Sequence, residues 1–427
     1  MSSVLSPQTW PFDLALLPSS AHLVGGSVRD ALLGRKADYL DLDFVLPGEA
    51  IETAHAIARH YEVGFVILDP KNKIARVVFP QATVDFAQQV GNTLETDLHR
   101  RDFTVNAIAY HPHTEQIFDP LGGCADLERQ LLRMVSADNL ADDPLRLLRA
   151  YRQAAQLGFV LDAQTRSTIH QLAPLLGKVA AERVRGELDC LLSKEEGTPL
   201  IQLAWQDKVL NSWLPELNPA QLQKLVAVDD AYSCLCNCRP IFAQLLSGWA
   251  KEQTSPGFHR SWFKAAKLSQ LLSTDLTEAE AELTHFKYSR AEQQVVLAVI
   301  RALPQLREMA MGETSRRQHY YLFKTVGSSF PSLVLVGLAE GMALEFLDPL
   351  IDAFLDPQNP IAHPRTLVSG RDVMQHLGVR PGPHIGEWLA AVELACAEGV
   401  VNSAAEALGW IASKSGPATE GAVKPKL

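Results

Sequence analysis

An α+β protein, with a mixed sheet in its amino-terminal part and helices in the remainder, is what the order of hydrophobic patterns predicts for this chain. Between Leu23 and Phe118, short stretches rich in Val, Ile and aromatics recur between turn signals: HLVGG, YLDLDFVL, VGFVIL, IARVVF, ATVDFA, NAIAYH and QIF. One helix-like segment, residues 49–61, interrupts them. After Asp119-Pro120-Leu121-Gly122-Gly123 the strand patterns almost vanish, and apolar residues recur at three- and four-residue spacing through the rest. The length of 427 residues allows roughly two to four domains, and 47% hydrophobic content supports sizeable cores. Joints are expected at residues 193–198 (SKEEGT), 254–257 (TSPG) and 356–360 (DPQNP), with a frayed end in the last dozen residues.

The opening MSSVLSPQTWPFDLALLP has no basic region and no continuous apolar core, and the apolar run Leu333 to Leu338 soon meets Glu340. Neither a signal peptide nor a membrane span is expected, so a cytoplasmic location is the default. The six cysteines are scattered except for Cys234, Cys236 and Cys238, and no second cluster supplies the paired spacing of a zinc site. A formal charge of −10 tells against a broadly basic surface but leaves room for a local positive groove, and the arginines are clustered.

Within YLDLDFV, Asp41 and Asp43 lie two residues apart on one strand, so they share a face about 7 Å apart, while Leu40, Leu42 and Phe44 turn to the core. Two carboxylates at that spacing repel unless a cation bridges them, and hard oxygen ligands suit Mg²⁺. An ordinary half-exposed strand face carries the same alternation. Just upstream, LVGGSVRDALLG ends a strand in two glycines and opens a helix, a turn in which backbone N–H groups can approach a phosphate and Arg29 can clamp it. The plainer alternative pairs Arg29 with a neighbouring acid. Asp85 in TVDF is a candidate third carboxylate, or equally a solvated strand residue.

In RRDFTVNA, Arg101 is placed to neutralise triphosphate charge while Asp102 and Asn106 hold the loop; surface ion pairing is the plainer reading. In DDPLRLLRAYR, Pro144 suits a first helical turn and makes Asp143 the natural cap. Helical spacing also sets Arg146 on the face of Asp143, with Arg149 beside it and Arg152 drifting round. An acceptor next to a donor matches the amine and ring nitrogen of cytosine and adenine, and leaves uracil or guanine with unpaired polar groups. No nucleic-acid template is required for such a choice.

These segments in this order, with DPLGGCADLERQLLR and AERVRGEL, resemble the successive motifs of the class II tRNA nucleotidyltransferases, the CCA-adding enzymes, and of their relatives the bacterial poly(A) polymerases. The likeness is strong over residues 22–190 and softer over residues 367–386. It implies a polymerase-beta-like nucleotidyltransferase head (1–135), a helical neck carrying the base-selecting helix (136–195), a helical body (196–330), a helical tail (331–413) and a disordered end (414–427). It also implies that Asp41 and Asp43 carry Mg²⁺, and that Gly25, Gly26, Arg29 and Arg101 contact the nucleotide, Arg101 taking part in catalysis. Asp143 and Arg146 would read the base with Arg149 and Arg152 nearby. CTP, ATP and tRNA are the implied partners, with the tRNA lying along the helical surfaces; no protein partner is implied. The short connection between Asp85 and Arg100 is reminiscent of the CC-adding subtype, and FVILDPKNKIARVVF lacks the basic Gly-Arg-Arg-Phe segment of poly(A) polymerases. The thirteen dispersed histidines form no His-Asp phosphohydrolase signature. The expected activity is addition of CC or CCA to tRNA with pyrophosphate release; a poly(A) polymerase and a noncatalytic RNA-binding relative are the alternatives.

Overall fold

The computed structural model describes residues 3–35, 39–248 and 260–414. The chain divides into two compact units at Leu217/Asn218.

The first unit is built on a seven-stranded sheet: β1 (His22–Val24), β2 (Leu40–Leu46), β3 (Gly64–Asp69), β4 (Ile74–Phe79), β5 (Ala82–Gln88), β6 (Ala109–His111) and β7 (Gln116–Phe118), in the order β3-β4-β5-β2-β1-β6-β7. Only β2 and β5 pair in parallel, so the sheet is mixed as expected. One face is a dry core because alternate strand residues are apolar: Leu42, Ala75, Val77, Val84 and Phe86 have no exposure. Helix α2 (Ala50–Tyr61) packs there through Ala54 and Ile57. The amino-terminal segment covers the remainder with Trp10 and Phe12; the Trp10 ring meets Phe44 edge-on at 5.1 Å, and Phe44 stacks on Phe86 at 5.5 Å. Such aromatic pairs add about 0.5–1.5 kcal/mol each beyond their buried area.

Helices α1 (Gly26–Leu32), α3 (Leu94–Leu98), α4 (Gly123–Glu128), α5 (Ala137–Asp142), α6 (Leu145–Leu157), α7 (Ala163–Leu172), α8 (Ala181–Leu192) and α9 (Gly197–Gln206) complete the unit. The stretch NAIAYH is a strand only from Ala109, since residues 104–106 form a 3₁₀ turn closed by Asn106 N–H on Phe103 O and Ala107 N–H on Thr104 O. Helix α4 lies so close to this turn that a Cβ on Gly123 would stand 2.3 Å from Thr104 O. A small parallel pair, Leu131–Leu132 with Val160–Leu161, is a strand element that the hydrophobic pattern did not announce.

The second unit is helical among its described residues: α10 (Pro219–Cys238), α11 (Pro240–Leu245), α12 (Trp262–Leu271), α13 (Leu276–His285), α14 (Arg290–Met309), α15 (Arg316–Val326), α16 (Phe330–Ala339), α17 (Leu344–Leu355), α18 (Gly370–Leu377), α19 (Pro383–Glu398) and α20 (Ala404–Lys414). One core runs from Val228 to Ala397, and a smaller one joins α18, α19 and α20 through Val373, Val392 and Ile411. The expected joint at 330/331 therefore falls inside a single core, and the one at 195/196 inside the first unit. Every residue of α12 is buried, including Lys267, whose Nζ meets Asp229 Oδ1 at 2.8 Å. The apolar stretch Arg316–Ala339 is long enough to cross a bilayer, but 67% of its most apolar window is buried in the protein, as in the core helix of a soluble fold. The expected TSPG joint lies outside the described residues, as does the expected disordered end apart from Lys414.

Candidate active site

The parallel register of β2 and β5 sets Asp43 opposite Asp85 and Asp41 opposite Thr83, bringing three carboxylates to one face of the sheet. Their surroundings differ. Thr83 Oγ1 donates to Asp41 Oδ1 at 2.7 Å. Asp85 is held by Arg76 of β4 through Nε at 2.7 Å and Nη2 at 2.8 Å, and this bond holds the guanidinium above its ordinary range. Asp85 is thus beside the pair, as one expectation had it, but already neutralised. Among the described residues Asp43 makes no ion pair. Burial pushes its carboxyl up to about 7, the charges of Asp41 and Asp85 push the same way, and Arg101 and Arg76 offset only part of this.

A carboxyl kept from ionising first by burial and then by neighbouring like charges fits a divalent cation, which would supply positive charge. Among the described residues, no group of three or more His, Cys, Asp and Glu side chains is gathered to enclose an ion. Asp41 and Asp43 would therefore hold Mg²⁺ with waters and substrate oxygens completing its shell, the usual mode for this ion.

The double-glycine turn stands against these carboxylates. Gly25 has φ +78° and precedes α1, and a Cβ there would lie 3.2 Å from Arg101 Nη1 and 3.6 Å from Asp43 Oδ2. Only glycine lets turn, guanidinium and carboxylate approach so closely. Among the described residues Arg101 is loosely held, its Nη2 by Asp97 Oδ2 and its Nη1 by Asn106 O at 3.4 Å each, so its Nη groups retain capacity for an anion. Arg29 is bound more tightly. It is 7% exposed, its Nε and Nη2 donate to Asp30 at 2.9 Å, and its Nη1 donates to Asn106 Oδ1 at 2.7 Å. Arg29 thus takes the ion-paired alternative, although it still lines, with Gly26, Ser27, Asp41 and Asp43, a cleft of about 360 Å³.

Asp102 and Asn106 hold their loop as expected, but through a buried side-chain network. Asp102 Oδ1 accepts from Phe103 N–H at 2.8 Å and Asn106 Nδ2 at 2.9 Å; Asn106 Nδ2 also donates to Gln153 Oε1 of α6 at 2.9 Å. Arg149 Nε lies 2.9 Å from Asp102 Oδ2 without hydrogen-bond alignment. The network ties the loop that carries Arg101 to the helix that carries the base-reading candidates.

Asp143 does not cap α6, contrary to the expectation. Pro144 takes the cap position, and the Asp143 carboxylate is clasped by Arg183 of α8 at 3.2 and 3.0 Å. Arg146 Nη1 donates to Arg100 O and Asn139 O at 3.0 Å each, so Asp143 and Arg146 are neighbours on the chain, each with its own support. Arg152 is held by Glu187 of α8 and by Gln156. Sequence reasoning passed over Arg76, Thr83, Gln153, Arg183 and Glu187. A charged residue amid the apolar alternation of IARVVF was a signal for Arg76, and the one-turn spacing of Arg183 and Glu187 in AERVRGEL was a signal for them. Thr83 and Gln153 become visible only in register and packing.

The connection from β5 to α3, residues 89–93, is short and tied down: Gln89 N–H donates to Leu46 O at 2.7 Å, Val90 N–H to Asp97 Oδ1 at 3.0 Å, and Thr93 caps α3.

Comparison with known proteins bears on the family and the fold. Residues 21–133 match the Poly A polymerase head domain, residues 158–221 the probable RNA and SrmB-binding site of polymerase A, and residues 259–411 the putative tRNA nucleotidyltransferase domain 2. The CC-adding tRNA nucleotidyltransferase of Synechocystis sp. is 45% identical over 94% of this chain and 95% of its own. The A-adding tRNA nucleotidyltransferase of Deinococcus radiodurans is 34% identical over 92% of this chain and 95% of its own. The solved Thermotoga maritima CCA-adding enzyme complexed with tRNA superposes with a TM-score of 0.68 at 23% identity, covering 92% of this chain and 91% of that one, which shows a common fold. A mixed-sheet unit followed by helices is the fold shared with the solved CCA-adding enzymes. The chain belongs to the tRNA nucleotidyltransferase family.

Proposed function

We propose that this protein is a cytoplasmic tRNA nucleotidyltransferase that adds two cytidylates to the 3′ end of tRNA, taking them from CTP and releasing pyrophosphate. The observation that carries the reading is the close approach of the Gly25 turn and Arg101 to the uncompensated Asp43 carboxyl. Mg²⁺ held by Asp41 and Asp43 would polarise the α-phosphate and lower the pKa of the attacking 3′ hydroxyl. Thr83 orients Asp41. The Gly25 turn gives the triphosphate room, and the spare Arg101 donors offset its charge. Asp143 would accept from the exocyclic amine of the base and Arg146 would donate to the ring nitrogen beside it, whereas a uracil would set its carbonyl oxygen against the Asp143 carboxylate. Arg149 and Arg152 support the helix on which this choice is made, through Asp102 and Glu187.

Stopping at CC is supported by the short, tied connection at residues 89–93 and by the likeness to the Synechocystis enzyme, whose name states that activity. The A-adding relative shows that the same scaffold also serves ATP, so the choice needs its own test. Purified protein given truncated tRNA, Mg²⁺ and labelled CTP is expected to incorporate label, and long ATP-only tails on RNA other than tRNA would favour a poly(A) polymerase instead. Incorporation undiminished by Asp41→Ala would overturn the site.

A further inference from the structure

The sheet face that carries the three carboxylates is closed on one side and bare on the other. Toward β1 and β6, Val24, Val45 and Ala109 are buried with Leu98 and Ala107. In the opposite direction, the register continues from Asp43 through Asp85 and Arg76 to Val66, and from Asp41 through Thr83 to Val78. Residues in one such row share a face, and strands lie about 4.8 Å apart, so Val78 stands about 10 Å from Asp41. Val66 is 49% exposed and Val78 40%, whereas Ala75 and Val77 on the reverse of β4 have no exposure. A merely solvated sheet face would place polar residues at these positions, and bare β-branched residues near a sheet edge are a liability unless something covers them.

We propose that this open shelf seats the terminal nucleotides of the RNA acceptor strand. Riboses and bases rest on Val66 and Val78, and a backbone phosphate meets the Nη1 end of Arg76, which lies outside the fork given to Asp85. The inference rests on the site being a nucleotidyltransferase site. It follows from access: the β1–β6 side is filled, and the Gly25 turn with Arg101 is assigned to the triphosphate. A strand delivering its 3′ hydroxyl to Asp41 and Asp43 then has the β5–β4–β3 side left. A second copy of the chain docked face to face would set Asp41 and Asp43 against their own like charges, which disfavours that occupant.

Val66→Asp and Val78→Asp, made separately in the full chain, test this. Both positions are exposed, and an unchanged Tm verifies folding. The expected result is a rise in KM for tRNA of about tenfold or more, with CTP affinity unaltered and Val66→Ile close to wild type. A tRNA carrying a photoreactive 3′-terminal nucleotide should cross-link to residues 64–79. An unchanged KM for tRNA, cross-links confined to other segments, or a dimer that Val66→Asp dissolves would each overturn the shelf. If the wild type transfers no nucleotide, the functional reading fails by itself, and the cross-link still decides the shelf.

Discussion

At Asp43, burial and two neighbouring carboxylates outweigh two arginines, and the consequence reaches beyond catalysis. Its folded-state pKa of about 7 stands above the ordinary carboxyl value near 3.9, so the stability this group contributes is full below that lower value and is lost as pH rises through about 7. A divalent cation should restore it. The increase in Tm on adding Mg²⁺ is therefore expected to be larger at about pH 8 than at about pH 6, and Asp43→Asn should remove that difference. Equal shifts at both pH values would mean that the cation binds elsewhere. Asp41→Ala should lower incorporation by at least about a thousandfold without loss of fold, and Thr83→Val by about tenfold, since it removes only the bond that orients Asp41. Asp143→Ala should relax discrimination against UTP by about ten- to a hundredfold in kcat/KM ratio. An unaltered ratio would reduce Asp143 to a partner for Arg183.

At the level of elements, β2 is where chemistry and core meet: its Asp residues face the site while Leu42 and Phe44 anchor its back. Trp10 lies against Phe44 from the amino-terminal segment, so Trp10→Ala is expected to cost about 3–5 kcal/mol in chemical denaturation. A loss under about 1 kcal/mol would show that the segment is a loose cover. The strands were legible because the period-two alternation of β2, β4 and β5 reflects one buried face. NAIAYH misled because its apolar run resembles a strand, while Asn106 is drawn into the buried network with Asp102 and Gln153, and a turn satisfies it better. Arg29 pairs with Asp30, the neighbouring acid that its plainer reading allowed, whereas Arg183 as the partner of Asp143 was not legible, because ion pairing across elements leaves no periodic signal. The rows that join Asp43 to Val66 depend on strand order, which local patterns do not encode.

For the whole molecule, the switch from alternating to helical patterns after residue 119 marks where the seven-stranded sheet ends, and the compact units part at Leu217/Asn218. Helical periodicity announces that helices pack and is silent on which of them share a core, so the joint expected at 330/331 fell within one. Lys267 is fully buried beside that core with its Nζ on Asp229, and Lys267→Ala should destabilise the protein by about 2–5 kcal/mol through the lost packing and the lost ion pair, measured as a shift of the denaturation midpoint. A substitution without effect would show that Asp229 is satisfied by other groups. The most direct test of the whole account is product length on tRNA lacking its terminal CCA, first with CTP alone and then with CTP and ATP together. The account predicts extension by two nucleotides in both cases, with no further growth when ATP is present; a product one nucleotide longer in the mixture would contradict it.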